Sequence, residues 1–211
     1  TSFRSIFITL KRNWLISRWL ISQSFVSWFQ SNYLLFLTSF ILGATSLGIL
    51  RAFQSILGMS HILLHSLDTW LPVKSGKLLK EESIPIFKKK MLNIIFKSSV
   101  IFTGIFAIII SLSNLILFVF DKSLLNSINE FKVFCIVYLI MSINYPFKNI
   151  LLGIEKTISN LYGSIISVSL IVFLGNHLIM KYGLMGIISL YFLSHLIILI
   201  SNIFYLKNRF R

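Results

Sequence analysis

Residues 92–120 read LNIIFKSSVIFTGIFAIIISLSNLILFVF, with Lys97 as the only charged side chain. A helix needs about 20 mostly apolar residues to cross a hydrocarbon core of ~30 Å. This stretch has that length to spare. It lacks the in–out alternation over roughly ten residues that marks a barrel strand. Lipid offers backbone amides no partner, so helices and closed barrels are the structures that span it. Working outward, similar stretches lie near 14–37, 46–71, 131–153, 158–180 and 184–206. The sequence therefore predicts an all-α integral membrane protein. Residues 1–211 form one bundle of six transmembrane helices in this reading.

Composition agrees with that class. The chain has 211 residues, 56% hydrophobic and 12% charged. Soluble domains carry about 25% charged residues, and disorder requires low hydrophobicity. A single cysteine, Cys135, excludes an internal disulfide framework and any multi-cysteine metal site. The formal net charge of +14 does not imply nucleic acid on a chain this apolar. It follows instead from the cytoplasmic bias of Lys and Arg in membrane proteins.

The positions of the charges set the orientation. Lys74, Lys77, Lys80, Lys88, Lys89 and Lys90 lie between the second and third spans. Arg4, Lys11 and Arg12 precede the first, Lys148 and Lys156 flank the fourth-to-fifth turn, and Lys207, Arg209 and Arg211 form the tail. With six crossings all fourteen fall on one side, against Lys122, Lys132 and Lys181 on the other. The positive-inside rule then places both termini in the cytoplasm. The Lys88–Lys90 run reads as a topology anchor, or as a site for anionic lipid head groups. No cleavable leader is evident in TSFRSIFITLKR, which resembles a basic approach to a membrane. The expectation is a fragment or one half of a longer protein.

Enzymatic chemistry is not expected, nor is a cofactor. No G-x-x-x-x-G-K-[ST], H-E-x-x-H, C-x-x-C or G-x-S-x-G occurs. The two aspartates, Asp68 and Asp121, fall on opposite sides of the expected topology and form no carboxylate pair.

The second span is the most informative. Arg51, Gln54, Ser55, Gly58, His61, His65, Asp68 and Thr69 recur three or four residues apart. At 3.6 residues per turn they share one face. Polar groups inside a bilayer are costly and face protein or a wet cavity, so the stripe reads as a cavity wall, with polar glue between helices as the bland alternative. The opposite face carries Phe53, Ile56, Leu63, Leu67 and Trp70. Ser17, Gln23, Ser24, Ser27, Gln30 and Ser31 form a weaker stripe on the first span.

The candidate cavity residues are Arg51, Gln54, Ser55, His61, His65 and Asp68, with Gln23, Ser24 and Ser27 opposite. Arg51 is also close enough to the outer end to snorkel, and Arg18 and Lys97 read as snorkelling to the interface. His61 and His65 have the i, i+4 spacing of a metal clip, but a proton relay or hydrogen bonding to substrate is preferred and no metal is expected. Pro146, in SINYPFKN, removes a helical hydrogen bond and is a candidate hinge or a static kink. Asn160, Ser164, Ser167, Ser194, His195, Ser201 and Asn202 read as helix contacts.

The order of these segments resembles a known family. A polar-striped first helix precedes Gly43, Ala44, Leu47 and Gly48 in a short G-A-x-x-L-G turn, then Arg51, Ala52 and Gln54, then a helix ending at Leu71 and Pro72. The last pair of helices has Tyr182, Gly183 and Gly186 at its entry. This layout is similar to the O-antigen and polysaccharide flippases of the multidrug/oligosaccharidyl-lipid/polysaccharide exporter superfamily. It matches their second six-helix bundle, half of a twelve-helix transporter. The resemblance implies translocation of an undecaprenyl-diphosphate-linked oligosaccharide across a bacterial inner membrane. The partners it implies are that lipid-linked substrate, the phospholipid bilayer, and a missing N-terminal bundle or a second copy. Arg51, His61 and His65 would suit a diphosphate, and Gln54, Ser55 and the first-span serines would suit sugars. A multidrug/cation antiporter of the same superfamily, or a non-transporting scaffold of a glycan-assembly complex, are the alternatives.

Overall fold

The computed structural model describes residues 3–209. All regular structure among them is helical, with no strand. Eight α-helices follow in order: α1 (Phe3–Leu37), α2 (Gly43–Gly58), α3 (Ser60–Glu81), α4 (Ile84–Ser111), α5 (Ser113–Phe120), α6 (Ile128–Gly153), α7 (Ile158–Tyr182) and α8 (Leu184–Arg209). A π-helical turn, Thr38–Leu42, joins α1 to α2, and a 3-10 turn, Lys122–Ser127, precedes α6. Five segments are long and apolar enough to cross a membrane: Ser17–Gly58, Ile84–Ser111, Lys122–Gly153, Ile158–Tyr182 and Leu184–Asn208.

Ser17–Gly58 counts as one segment of 42 residues. At 1.5 Å per residue that is about twice a bilayer core, and the chain turns within it. Gly43 sits at φ 84°, ψ 177°, a conformation that side chains with a Cβ rarely adopt. Contacts fix the directions on either side. Gln23 meets Ser164, Gln30 meets Ser167 and Leu37 lies near Gly175, so α1 runs parallel to α7. The pairs His61–Tyr138, Asp68–Tyr145 and Gly76–Gly153 keep one offset, so α3 runs parallel to α6.

Three sequence expectations are corrected here. The helix expected to end at Leu71–Pro72 does not end there: α3 continues through Pro72 to Glu81. Its Lys, Leu and Glu residues are good helix formers, so hydropathy falls there while helicity persists. The expected long basic loop shrinks to Glu82 and Ser83, and Pro85 then sits in the first turn of α4, where a missing N–H costs nothing. The second and third spans are also each broken. Met59 separates α2 from α3, with the Ser60 hydroxyl donating to the Leu57 carbonyl at 2.6 Å, and Leu112 separates α4 from α5. On the face opposite the stripe, Leu63 and Trp70 are exposed, whereas Phe53 and Ile56 are buried.

Two apolar clusters hold the bundle. The larger joins α1, α2, α4, α6, α7 and α8 through residues such as Leu34, Phe53, Phe106, Phe131, Phe134 and Ile187. The smaller joins Leu71, Phe87, Met91, Phe147, Ile150 and Leu206 near the ends of α3, α6 and α8 and the start of α4. The lysines of the α3–α4 connection therefore gather at the same end as Lys207. At the opposite end Asp121 caps the 3-10 turn, accepting the Ser123 backbone N–H at 2.8 Å. That bond, with one from the Ser123 hydroxyl, holds its pKa below the ordinary carboxylate value.

Candidate functional site

Between the two apolar clusters lies a polar belt, and two neighbouring cavities open within it. The first, about 210 Å³, is lined by Gln54 and His61 from α2 and α3, Tyr138 from α6, and Tyr191 and His195 from α8. The second, about 170 Å³, is lined by Gln23 and Ser27 from α1, Asn144, Tyr145 and Lys148 from α6, and Asn160 from α7. Met141 and His195 belong to both.

In the first cavity, Gln54 Nε2 donates to the Tyr191 hydroxyl at 3.3 Å, and Arg51 Nη1 donates to Gln54 Oε1 at 3.4 Å. The His61 ring stands edge-on to Tyr138 with centroids 5.9 Å apart. In the second, Gln23 Nε2 donates to the hydroxyls of Ser27 at 3.1 Å and Ser164 at 2.9 Å. Gln23 Oε1 is buried without a hydrogen-bond partner.

Asp68 closes the belt on the α3 side. Its Oδ2 accepts from the Tyr145 hydroxyl at 2.7 Å and lies 3.1 Å from His65 Nδ1. Its Oδ1 accepts from Asn149 Nδ2 at 3.1 Å. Both carboxylate oxygens are thus engaged, and Lys148 Nζ lies 5.5 Å from the centre of the Tyr145 ring. Tyr145 and Asn149 flank Pro146, through which α6 remains continuous. Proline cannot donate to the carbonyl four residues back, so the Ser142 carbonyl loses its usual partner there.

Behind the cavities a buried amide network fixes α6, α7 and α8 together. Asn202 Nδ2 donates to Asn144 Oδ1 at 2.9 Å and to Asn160 Oδ1 at 3.0 Å, and Asn202 Oδ1 accepts from the Ser159 hydroxyl at 3.1 Å. Ser201 donates to the Ser159 carbonyl at 2.9 Å. In an apolar medium each such group needs a partner, so these residues position Asn144 and Asn160 on the cavity wall.

Of the candidate cavity residues named from sequence, Gln54, His61, Gln23 and Ser27 line the cavities, joined by Ser31 of the first-span stripe and by Asn160, expected among the helix contacts. Asp68 and His65 bond to each other beside the second cavity. Arg51, Ser55, His65 and Ser24 lie exposed. Arg18 stacks on Trp19 at 4.9 Å. Among the described residues no cluster of three or more His, Cys, Asp or Glu groups could hold a metal ion. Sequence reasoning missed Tyr138, Met141 and Tyr191 and placed His195 among helix contacts. A signal existed: Tyr138 lies seven residues before Tyr145 and Tyr191 four before His195, which puts each pair on one helical face.

The lining offers amides, hydroxyls, imidazoles, tyrosine rings and the Lys148 side chain, interspersed with Phe134, Val137, Met141 and Ile198. Such a surface can hydrogen-bond neutral polyols and anionic groups. Comparison of the chain with family models, with curated proteins and with solved structures finds no match in any of the three.

Proposed function

We propose that the chain is the second bundle of a flippase that moves a lipid-linked oligosaccharide, of the undecaprenyl-diphosphate class, across a bacterial inner membrane. The observation that supports this reading is the pair of neighbouring cavities, lined in part by polar side chains, inside a bundle of long apolar helices. Six crossings are proposed, with α1, α2–α3, α4–α5, α6, α7 and α8 as the crossing units. Both termini are then cytoplasmic by the distribution of Lys and Arg. The head group would bind among Gln54, His61, Tyr145 and Lys148 while the prenyl tail stays in lipid.

The exposed polar residues Arg51, Ser55 and His65 would face a second bundle, or a second copy, across a shared aqueous cleft. Rocking of the two bundles would expose that cleft to each side in turn. Asp68 does not favour the cation-antiporter reading, because its oxygens are already occupied by Tyr145, Asn149 and His65.

Complementation tests the proposal. The reading frame that contains this chain should restore surface glycan to a flippase-deficient bacterium. Gln54→Leu combined with His61→Leu should cut surface glycan at least tenfold at unchanged protein level. Phe173→Leu, on the exposed face of α7, should leave it intact. Full export by the double variant would contradict a head-group path through these cavities.

A further inference from the structure

A third cavity lies away from the polar belt, at the lysine-rich end. It is a crevice of about 220 Å³ between α4, α6 and α8. Its walls are apolar: Phe87, Met91 and Leu92 from α4, Phe147 from α6, and Ile203 and Leu206 from α8. Lys88 and Lys207 stand on its rim, brought together from two different helices.

Two neighbouring lysines are paired with carboxylates, and among the described residues the two on the rim are not. Lys90 bonds to Glu82 at 2.6 Å, and Lys77 lies 3.8 Å from Glu81. Neither Lys88 nor Lys207 has a carboxylate partner among the described residues. Both are exposed. An apolar crevice with two ammonium groups at its mouth, neither paired with a carboxylate among the described residues, matches a molecule with an apolar chain and an anionic head. Neutral lipid would fill the crevice equally well, but only an anionic head group complements the rim.

We infer that this crevice binds an anionic phospholipid, with an acyl chain against Phe147 and Leu206 and the head-group phosphate at Lys88 and Lys207. The inference rests on the chain lying in a membrane and is independent of any cargo carried by the polar cavities.

Native mass spectrometry of the delipidated chain in detergent, titrated with phosphatidylglycerol or phosphatidylcholine of identical chains, tests it. Phosphatidylglycerol should bind at least tenfold more tightly. Removing two interfacial lysines should cost about 25-fold in affinity, roughly fivefold for each. Lys88→Gln with Lys207→Gln should show that loss, and Lys88→Arg with Lys207→Arg should restore binding. Ile203→Trp, which fills the crevice from an exposed position, should weaken binding as well. Lys77→Gln with Lys80→Gln should change affinity less than threefold. An equal loss in the Lys77 and Lys80 pair would mean diffuse surface attraction and overturn the site. So would equal affinity for the two lipids, or competition by glycerol phosphate, which has the head group without the chain.

Discussion

Gly153→Ala should destabilise the bundle by about 1–3 kcal/mol, the cost of overpacking a close contact. For a chain of this size that corresponds to a fall of about 5 °C in the unfolding midpoint. At Gly153 the ends of α3 and α6 touch backbone to backbone. A Cβ there would meet the Pro72 carbonyl oxygen and the Ser75 hydroxyl, both held in place by α3. From the α3 side, a Cβ on Gly76 would lie 2.9 Å from the Gly153 carbonyl oxygen. The two helices must separate to admit a methyl group, and Asp68 would then draw away from Tyr145 and Asn149.

Gly104→Ala is the matched comparison. Gly104 also lies within a helix, but a Cβ there meets nothing within 4 Å. That substitution should be neutral or stabilising by about 0.5–1 kcal/mol, because alanine loses less backbone freedom in a helix. Thermal unfolding in detergent, followed by helical circular dichroism, separates the two outcomes. Equal midpoints for the two variants would show that the α3–α6 contact is not tight.

The second large effect is expected at Asn202. Its side chain is wholly buried and joins Asn144, Asn160 and Ser159. Interhelical hydrogen bonds in membranes average about 0.6 kcal/mol, with maxima near 1.7. Three failing together should cost about 2 kcal/mol. Asn202→Leu removes the partners of all three neighbours. Asn202→Asp preserves volume but turns the shared donor into an acceptor facing two carbonyl oxygens. If packing alone mattered, Asn202→Asp would be silent. If the amide network matters, it should lower the midpoint at least as much as Asn202→Leu, since it also buries a charge. Because Asn144 and Asn160 line the second cavity, both variants should also reduce export in the complementation assay.

The helical character was legible because runs this long and apolar, without strand alternation, fit a helix. Uninterrupted apolar runs such as 92–120 declare a helix without any need for periodicity. Of the stripe from Arg51 to Asp68, Gln54 and His61 line a cavity while Arg51, Ser55 and His65 are exposed. What stayed hidden depends on other helices. That α3 runs on past Pro72 follows from helix-forming residues and from the Gly76–Gly153 contact, neither of which raises hydropathy. The breaks at Met59 and Leu112 carry no proline. Tyr138 and Tyr191 join Gln54 and His61 on one cavity wall only through the packing of α6 and α8. Conversely, Ser55 and Ser24 share the helical faces of cavity residues but point past the cavity, because a helical face is wider than the gap it borders.

Water access to the polar cavities is the most direct test of the central claim. In a Cys135→Ala background, single substitutions Gln54→Cys, His61→Cys and Tyr145→Cys would be exposed, from either side of the membrane, to a membrane-impermeant thiosulfonate. Phe173→Cys, at a position 88% exposed on the face of α7, serves as the lipid-facing reference. The expected result is rapid labelling at the three cavity positions and none at Phe173→Cys. Labelling of Phe173→Cys with the cavity positions silent would contradict a water-filled polar path inside a membrane bundle.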